Sequence, residues 1–225
     1  MTILKVKENI KMGTRNLIAV KLNGEYKVAQ YSQWDGYSSG QGAGVLDFLH
    51  RVNLDEFKNK VAQTTWITQE EYDKTWDEVG GTVDERGFVS MEDSNKHKKA
   101  YPEFSRDTGS DILDLVNNSE PLKLWNDIDF AHDGLSCEWA YVIDFDKNTF
   151  EVFGGFCKEP LQEGERFYDG DKEWSDNYYD GRDLNFKYYG VRLLHTFDLS
   201  DLPTEEKFLE ICEPKDEEES EDDNE

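Results

Sequence analysis

Cysteine, proline and histidine are all scarce in this chain, and so is positive charge. Only three cysteines occur, Cys137, Cys157 and Cys212. Their odd number and wide spacing, with no CxxC pair, exclude a disulfide framework and leave no zinc pattern, so the sequence predicts reduced thiols and no metal. The four histidines, His50, His97, His132 and His195, have no spacing that would tie one of them to a cysteine as a base. Long apolar runs are missing as well. No stretch approaches the ~20 residues that a bilayer-spanning helix needs, and no continuous apolar segment marks a secretory leader near Met1. These absences predict a soluble, cytoplasmic protein with no membrane contact.

Lys and Arg total 25 against 50 Asp and Glu, a net charge of -25. Such a charge repels nucleic acids and anionic lipid surfaces, which excludes direct nucleic-acid binding and favours a basic protein as partner; high solubility alone is the competing explanation. From Pro214 onward eight acids and one lysine give -7, leaving -18 for residues 1–213. The acidity therefore belongs to the body as well as the tail. Residues 214–225 hold nothing that could anchor to a core and are expected to be a disordered acidic tail. Residues 1–213 are expected to form a single α+β domain. Its aromatic content of 13% supplies core volume that the modest aliphatic content does not.

The strongest ordering signal lies near the start. Leu17, Ala19 and Lys21 alternate with Ile18, Val20 and Leu22, Asn23-Gly24 supplies a two-residue turn, and a return strand runs from Tyr26 to Trp34. This hairpin delivers Gln33, Trp34 and Asp35 to a glycine-rich loop, Tyr37 to Gly44, and antiparallel pairing places Arg15 near Gln33 and Asp35. A short helix over Val45 to Val52 follows. The loop has neither the full Walker pattern nor a Lys-Ser/Thr ending, so no nucleotide or other cofactor is expected, although helix N–H groups there suit an anion.

Asn53-Leu54-Asp55-Glu56 and Thr68-Gln69-Glu70-Glu71 read as capping boxes opening two helices. Residues 82–100 read as a mobile excursion with one short helix and a basic cluster, Lys96 to Lys99. Asp107 or Thr108 is expected to cap the helix holding Ile112, Leu115 and Val116. A second hairpin runs from Trp139 to Gly154 around Asp146-Lys147-Asn148. Residues 160–187 look like an irregular acidic insertion, Tyr188 to Phe197 like a last strand, and Pro203 opens a closing helix with Phe208, Leu209 and Cys212 inward. The fold class is α+β, an antiparallel sheet built from two hairpins and flanked by helices.

The segments Met12 to Val20, Gln33 to Tyr37, Gly40-Gln41-Gly42, Ser105 to Gly109 and Cys137 to Asp144 resemble a family of uncharacterised proteins of bacteria, phages and prophages, over about residues 12–210. Ser38 departs from the proline expected in that family. The resemblance implies a mobile-element setting in a bacterial host but no chemistry. A strand opening with Thr14 next to Arg15 also resembles the N-terminal nucleophile hydrolases, in which Thr14 would be the nucleophile if the bond after Gly13 were cut. Cys137 beside Glu138 is the other catalytic candidate, set against a buried structural thiol.

The candidate ligand or interaction site is polar: Arg15, Gln33, Asp35, Gln41, Arg106, Asp107 and Glu138, with Trp34 and Trp139 as walls. The alternative is that Arg15, Asp35, Arg106 and Asp107 form buried ion pairs that hold the sheet to its helices. The expected function is a non-enzymatic interaction protein blocking a basic, nucleic-acid-binding surface of a host defence protein. The other expectation is a hydrolase or small-ligand binder using the Arg15 and Asp35 site.

Overall fold

A computed structural model describes residues 13–81, 88–179 and 187–213. The readings of the first twelve residues and of the acidic tail fall outside these, as do parts of those for 82–100 and 160–187. The chain runs β1 (Asn16–Leu22), β2 (Glu25–Ser32), α1 (Ala43–Arg51), α2 (Leu54–Val61), β3 (Thr65–Trp66), α3 (Gln69–Glu78) and α4 (Met91–Ala100). It continues through α5 (Asp111–Asn118), β4 (Lys123–Leu124), β5 (Trp139–Asp144), β6 (Thr149–Gly154), α6 (Tyr168–Tyr179), β7 (Arg192–Asp198) and α7 (Glu205–Cys212).

The five-stranded sheet has the order β2-β1-β5-β6-β7. Both hairpins form as their turn residues dictate: Asn23 and Gly24 have φ of 55° and 81°, and Asn148 closes the second turn at φ 57°. The hairpins lie side by side, and the seam between them, β1 on β5, is parallel, with Asn16 opposite Trp139 and Lys21 opposite Asp144. The α+β class with a mostly antiparallel sheet is therefore as expected, the one parallel seam being an addition. The seam explains why Asn16 to Val20 is wholly buried. A strand with a neighbour on each side and a layer on each face loses the polar alternation of a half-exposed strand.

One sheet face carries Ile18, Val20, Val28, Tyr141, Ile143, Phe150 and Val152 against α1, α2, α5 and α7. Phe57 of α2 meets Phe48 of α1 edge-on at 4.7 Å, and each fully buried side chain of this size contributes ~1.5–3 kcal/mol. The opposite face is built from smaller groups, Leu17, Ala19, Ala29, Ala140 and Val142, under Ala131, Leu161, Phe167 and Val191.

Local signals mostly hold. Thr68 and Glu71 form a reciprocal capping box, whereas Asn53 accepts from Asp55 and Glu56 N–H groups without a return bond to its own backbone. Three expectations are corrected. Residues 168–179 of the supposed irregular insertion are helical (α6). Neither Asp107 nor Thr108 caps α5, whose N-cap is Ser110 with no side-chain bond. The Lys96 to Lys99 run is dispersed: Lys96 pairs with Glu92 and Asp93, Lys98 with Asp107, and His97 is buried with Trp76 stacked on it at 3.8 Å.

Candidate functional site

The end of the β1-β2 hairpin gathers nearly every residue the sequence nominates, but largely through backbone. Gly36 N–H donates to Thr14 O, Gln33 N–H to Arg106 O, and Glu138 N–H to Arg15 O. Trp34 Nε1 donates to Asp107 Oδ1 at 2.7 Å, and Lys98 Nζ reaches the other oxygen of that carboxylate at 2.5 Å. Asp107 thus fastens an indole instead of capping a helix. Gln41 bridges, donating to Trp34 O at 3.3 Å and accepting from Ser110 N–H at 2.6 Å. Glu138 accepts from Arg15 N–H at 3.3 Å, and Trp139 lies parallel to Tyr141, centroids 6.4 Å apart, at the edge of the main core.

The glycines of the loop serve close packing. A Cβ on Gly40 would stand 2.1 Å from Asp35 O, and one on Gly42 2.8 Å from the Tyr141 ring, so the π-helical turn Ser38–Gly42 seats directly on the sheet. Asp35 itself adopts φ 55°, and its Oδ1 accepts from Tyr37 O–H at 3.3 Å. The anion predicted at this helix start is a side chain of the same protein. Glu213 accepts from Ser39 N–H at 2.8 Å and from its hydroxyl at 3.1 and 2.9 Å.

The buried ion-pair alternative does not hold for the arginines. Arg15 is half-buried, Arg106 is exposed, and neither pairs with Asp35 or Asp107 or with any other described carboxylate. Burial raises the Tyr31 phenol pKa, while the charges of both arginines pull it down. Tyr31 O–H donates to Gln33 Oε1 at 2.6 Å. Gly36 N–H on Thr14 O brings the Arg15 and Asp35 segments together as expected, but no ion pair joins the two side chains; the Arg15 backbone bonds Glu138 across the parallel seam.

Of the catalytic candidates, Cys137 is fully buried, its Sγ donating to Trp139 O at 3.3 Å. Burial, with Asp133 and Glu138 adding negative charge, pushes its thiol well above the usual range, so the nucleophilic thiolate is disfavoured. Thr14 is half-buried, its carbonyl engaged by Gly36. Among the described residues no group of three or more His, Cys, Asp or Glu is placed to hold a metal ion, and no helix is long and apolar enough to cross a membrane.

Two further features were missed. Tyr31, Asn126, Asp127, Asp129, Phe130, Asp133 and Trp174 line an open recess of about 330 Å³. Its charged lining is entirely aspartate, and burial raises the pKa of Asp127 although Tyr31 N–H donates to it. The signal available was Asp127 and Asp129 flanking Ile128 ahead of Phe130, but nothing local placed them beside Tyr31. The second is a buried triad, in which Arg166 Nε donates to Glu151 at 2.6 Å and its Nη2 to Asp144 at 2.5 Å, all three side chains 1–6% exposed. Burial opposes the Arg166 charge, but its bonds to Glu151, Tyr26 and Asp144 outweigh that and hold its pKa above the usual value. Asp144 continues the Ala140 and Val142 face and Glu151 shares that face with Phe153; acids in such positions demand a buried cation.

The fold and this hairpin end define an α+β protein with a mixed five-stranded sheet and a polar, aromatic-lined surface. No family model, curated protein or solved structure matches the chain.

Proposed function

We propose that the protein is a non-enzymatic acidic interaction protein that docks on a basic protein surface, a nucleic-acid-binding face of a host defence protein being the target its phage-like motifs suggest. The observation that carries this is the recess of Asp127, Asp129 and Asp133 among Tyr31, Phe130 and Trp174. A lysine or arginine head entering it gains carboxylate partners and aromatic faces together. Asp127 is held partly desolvated, and an incoming cation offsets that cost. The net charge of -25 speeds encounter and makes it salt-sensitive.

The test is capture of host proteins at low and at high salt on the wild-type chain and on Asp129→Lys, an exposed position. A partner released by salt and lost on charge reversal is expected. Capture indifferent to both, or a turnover abolished by Thr14→Ala or Cys137→Ala, rejects the reading. A second reading, a small-anion binder at Arg15 and Arg106, is supported by their lack of described carboxylate partners and by the pull of both charges on the Tyr31 phenol. It requires inorganic phosphate or a carboxylate to protect Arg106 from modification.

A further inference from the structure

Away from that surface, α6 lies against the segment 128–132, where the His132 imidazole packs so closely on Gly170 that a Cβ there would stand 2.4 Å from Nε2. This contact seats the first turn of α6 and turns Asp171 and Ser175, one helical turn apart on the same face, toward a cleft of about 280 Å³. Pro160, Leu161, Tyr168, Asp176, Lys187 and Tyr189 complete its lining. The volume sits at the lower end of the ~300–1,000 Å³ of small-molecule sites.

The floor is polar and incompletely satisfied. Ser175 is 2% exposed and its Oγ has no hydrogen-bond partner. Asp171 is 3% exposed; one oxygen accepts from Gly190 N–H at 2.5 Å, and no described group donates to the other. Native proteins seldom leave a hydroxyl sealed without a partner, and an acceptor pair beside a carboxylate calls for a donor carrying positive charge. Burial lowers the pKa of His132 behind the floor, so the imidazole there is neutral, and the charges facing the cleft are Asp171, Asp176 and Lys187. The rest of the wall, Leu161, Pro160 and two tyrosines, suits an apolar group.

We infer that this cleft is a binding site for a small primary ammonium ion bearing an alkyl or aryl group. The ammonium donates to Asp171 and, once rotation about the Ser175 Cα–Cβ bond turns the sealed hydroxyl into the cleft, to Ser175 Oγ; its third N–H faces the mouth, and the organic part packs on Leu161 between Tyr168 and Tyr189. A quaternary ammonium cannot make the two donations, and a neutral alcohol leaves Asp171 without a counter-charge.

The test is calorimetric titration of the full chain with benzylamine, trimethylbenzylammonium and benzyl alcohol at moderate salt. Expected is saturable one-to-one binding of benzylamine alone, weakened ~10-fold or more in Ser175→Ala by loss of one buried hydrogen bond and abolished in Asp171→Asn, which keeps an acceptor for Gly190. Ser175→Ala should melt no lower than wild type, because it removes an unpartnered hydroxyl. Should Asp171→Asn fail to fold, amide shifts on adding benzylamine decide: confinement to residues around 161, 168–176 and 189 supports the site. Equal affinity in Ser175→Ala, equal binding of the quaternary ion, shifts scattered over the acidic surface, or no binding at all overturns it, the last leaving a cleft filled by water.

Discussion

Replacing Arg166 by methionine keeps the length and removes the charge, leaving Asp144 and Glu151 as diagonal neighbours on one buried face of adjacent strands. Both carboxylates are at least 94% buried, so solvent cannot screen them. Breaking a buried pair in this way costs about 3–5 kcal/mol, which for a chain of this size is a fall of roughly 6–20 °C in melting temperature. The sign of the pH dependence gives a sharper test. In the wild type, burial works against the Asp144 charge but Arg166 and the turn N–H groups of Asp146 and Lys147 more than compensate, so its pKa is lowered. That contribution is complete above the usual carboxyl pKa and is lost as pH falls through the lowered value. In Arg166→Met the stranded acids titrate above the usual value and regain stability on protonation. The deficit measured by urea unfolding is therefore largest near pH 7 and shrinks toward pH 4. Arg166→Met with Asp144→Asn and Glu151→Gln should recover most of it, since both amides keep their acceptor oxygens for the turn and for Thr149. A loss below about 1 kcal/mol at pH 7, or a deficit that does not change with pH, refutes the reasoning.

Glu213→Ala removes the anion at the start of the Ser38–Gly42 turn and should cost ~0.3–1 kcal/mol, read as a lowered urea midpoint. A midpoint unchanged within error would show the contact contributes nothing. Burial lowers the pKa of His97, so the unfolded chain takes up a proton that the folded one resists, and stability falls as pH drops below the ordinary histidine value. Between pH 7.5 and 5.5 the urea midpoint of the wild type should fall more than that of His97→Phe; parallel slopes would refute the assignment.

The elements carried by short-range rules were legible in the sequence. Asn23-Gly24 fixed one turn, Thr68 and Glu71 one helix start, and the alternation from Trp139 to Asp144 one strand. What failed needed distant partners. α6 was missed because Tyr168 to Tyr179 has a weakly amphipathic pattern and folds against His132 and Gly190, more than ten residues away in either direction. Asp107 looked like a cap because its helix follows closely, yet the Trp34 indole, 73 residues earlier, is its partner. The nominated residues do come together, but Arg15 makes no ion pair with Asp35 and bonds Glu138 through its backbone. Pairing across a hairpin can be read from the turn, whereas the parallel seam brings together strands 123 residues apart.

That seam also sets the order in which the chain can mature. The first hairpin is complete once residue 32 is made, yet the neighbour of β1 is not present until β5 at Trp139–Asp144. Synthesis of the intervening chain takes roughly 6–22 s at ~5–20 residues per second. Throughout that interval Asn16-Leu17-Ile18-Ala19-Val20 is an unpaired strand edge with apolar side chains on both faces, the kind of segment that recruits other chains. The acidic residues crowding the rest of the sequence then act before any folded surface exists, as like charge holding one nascent chain away from the next.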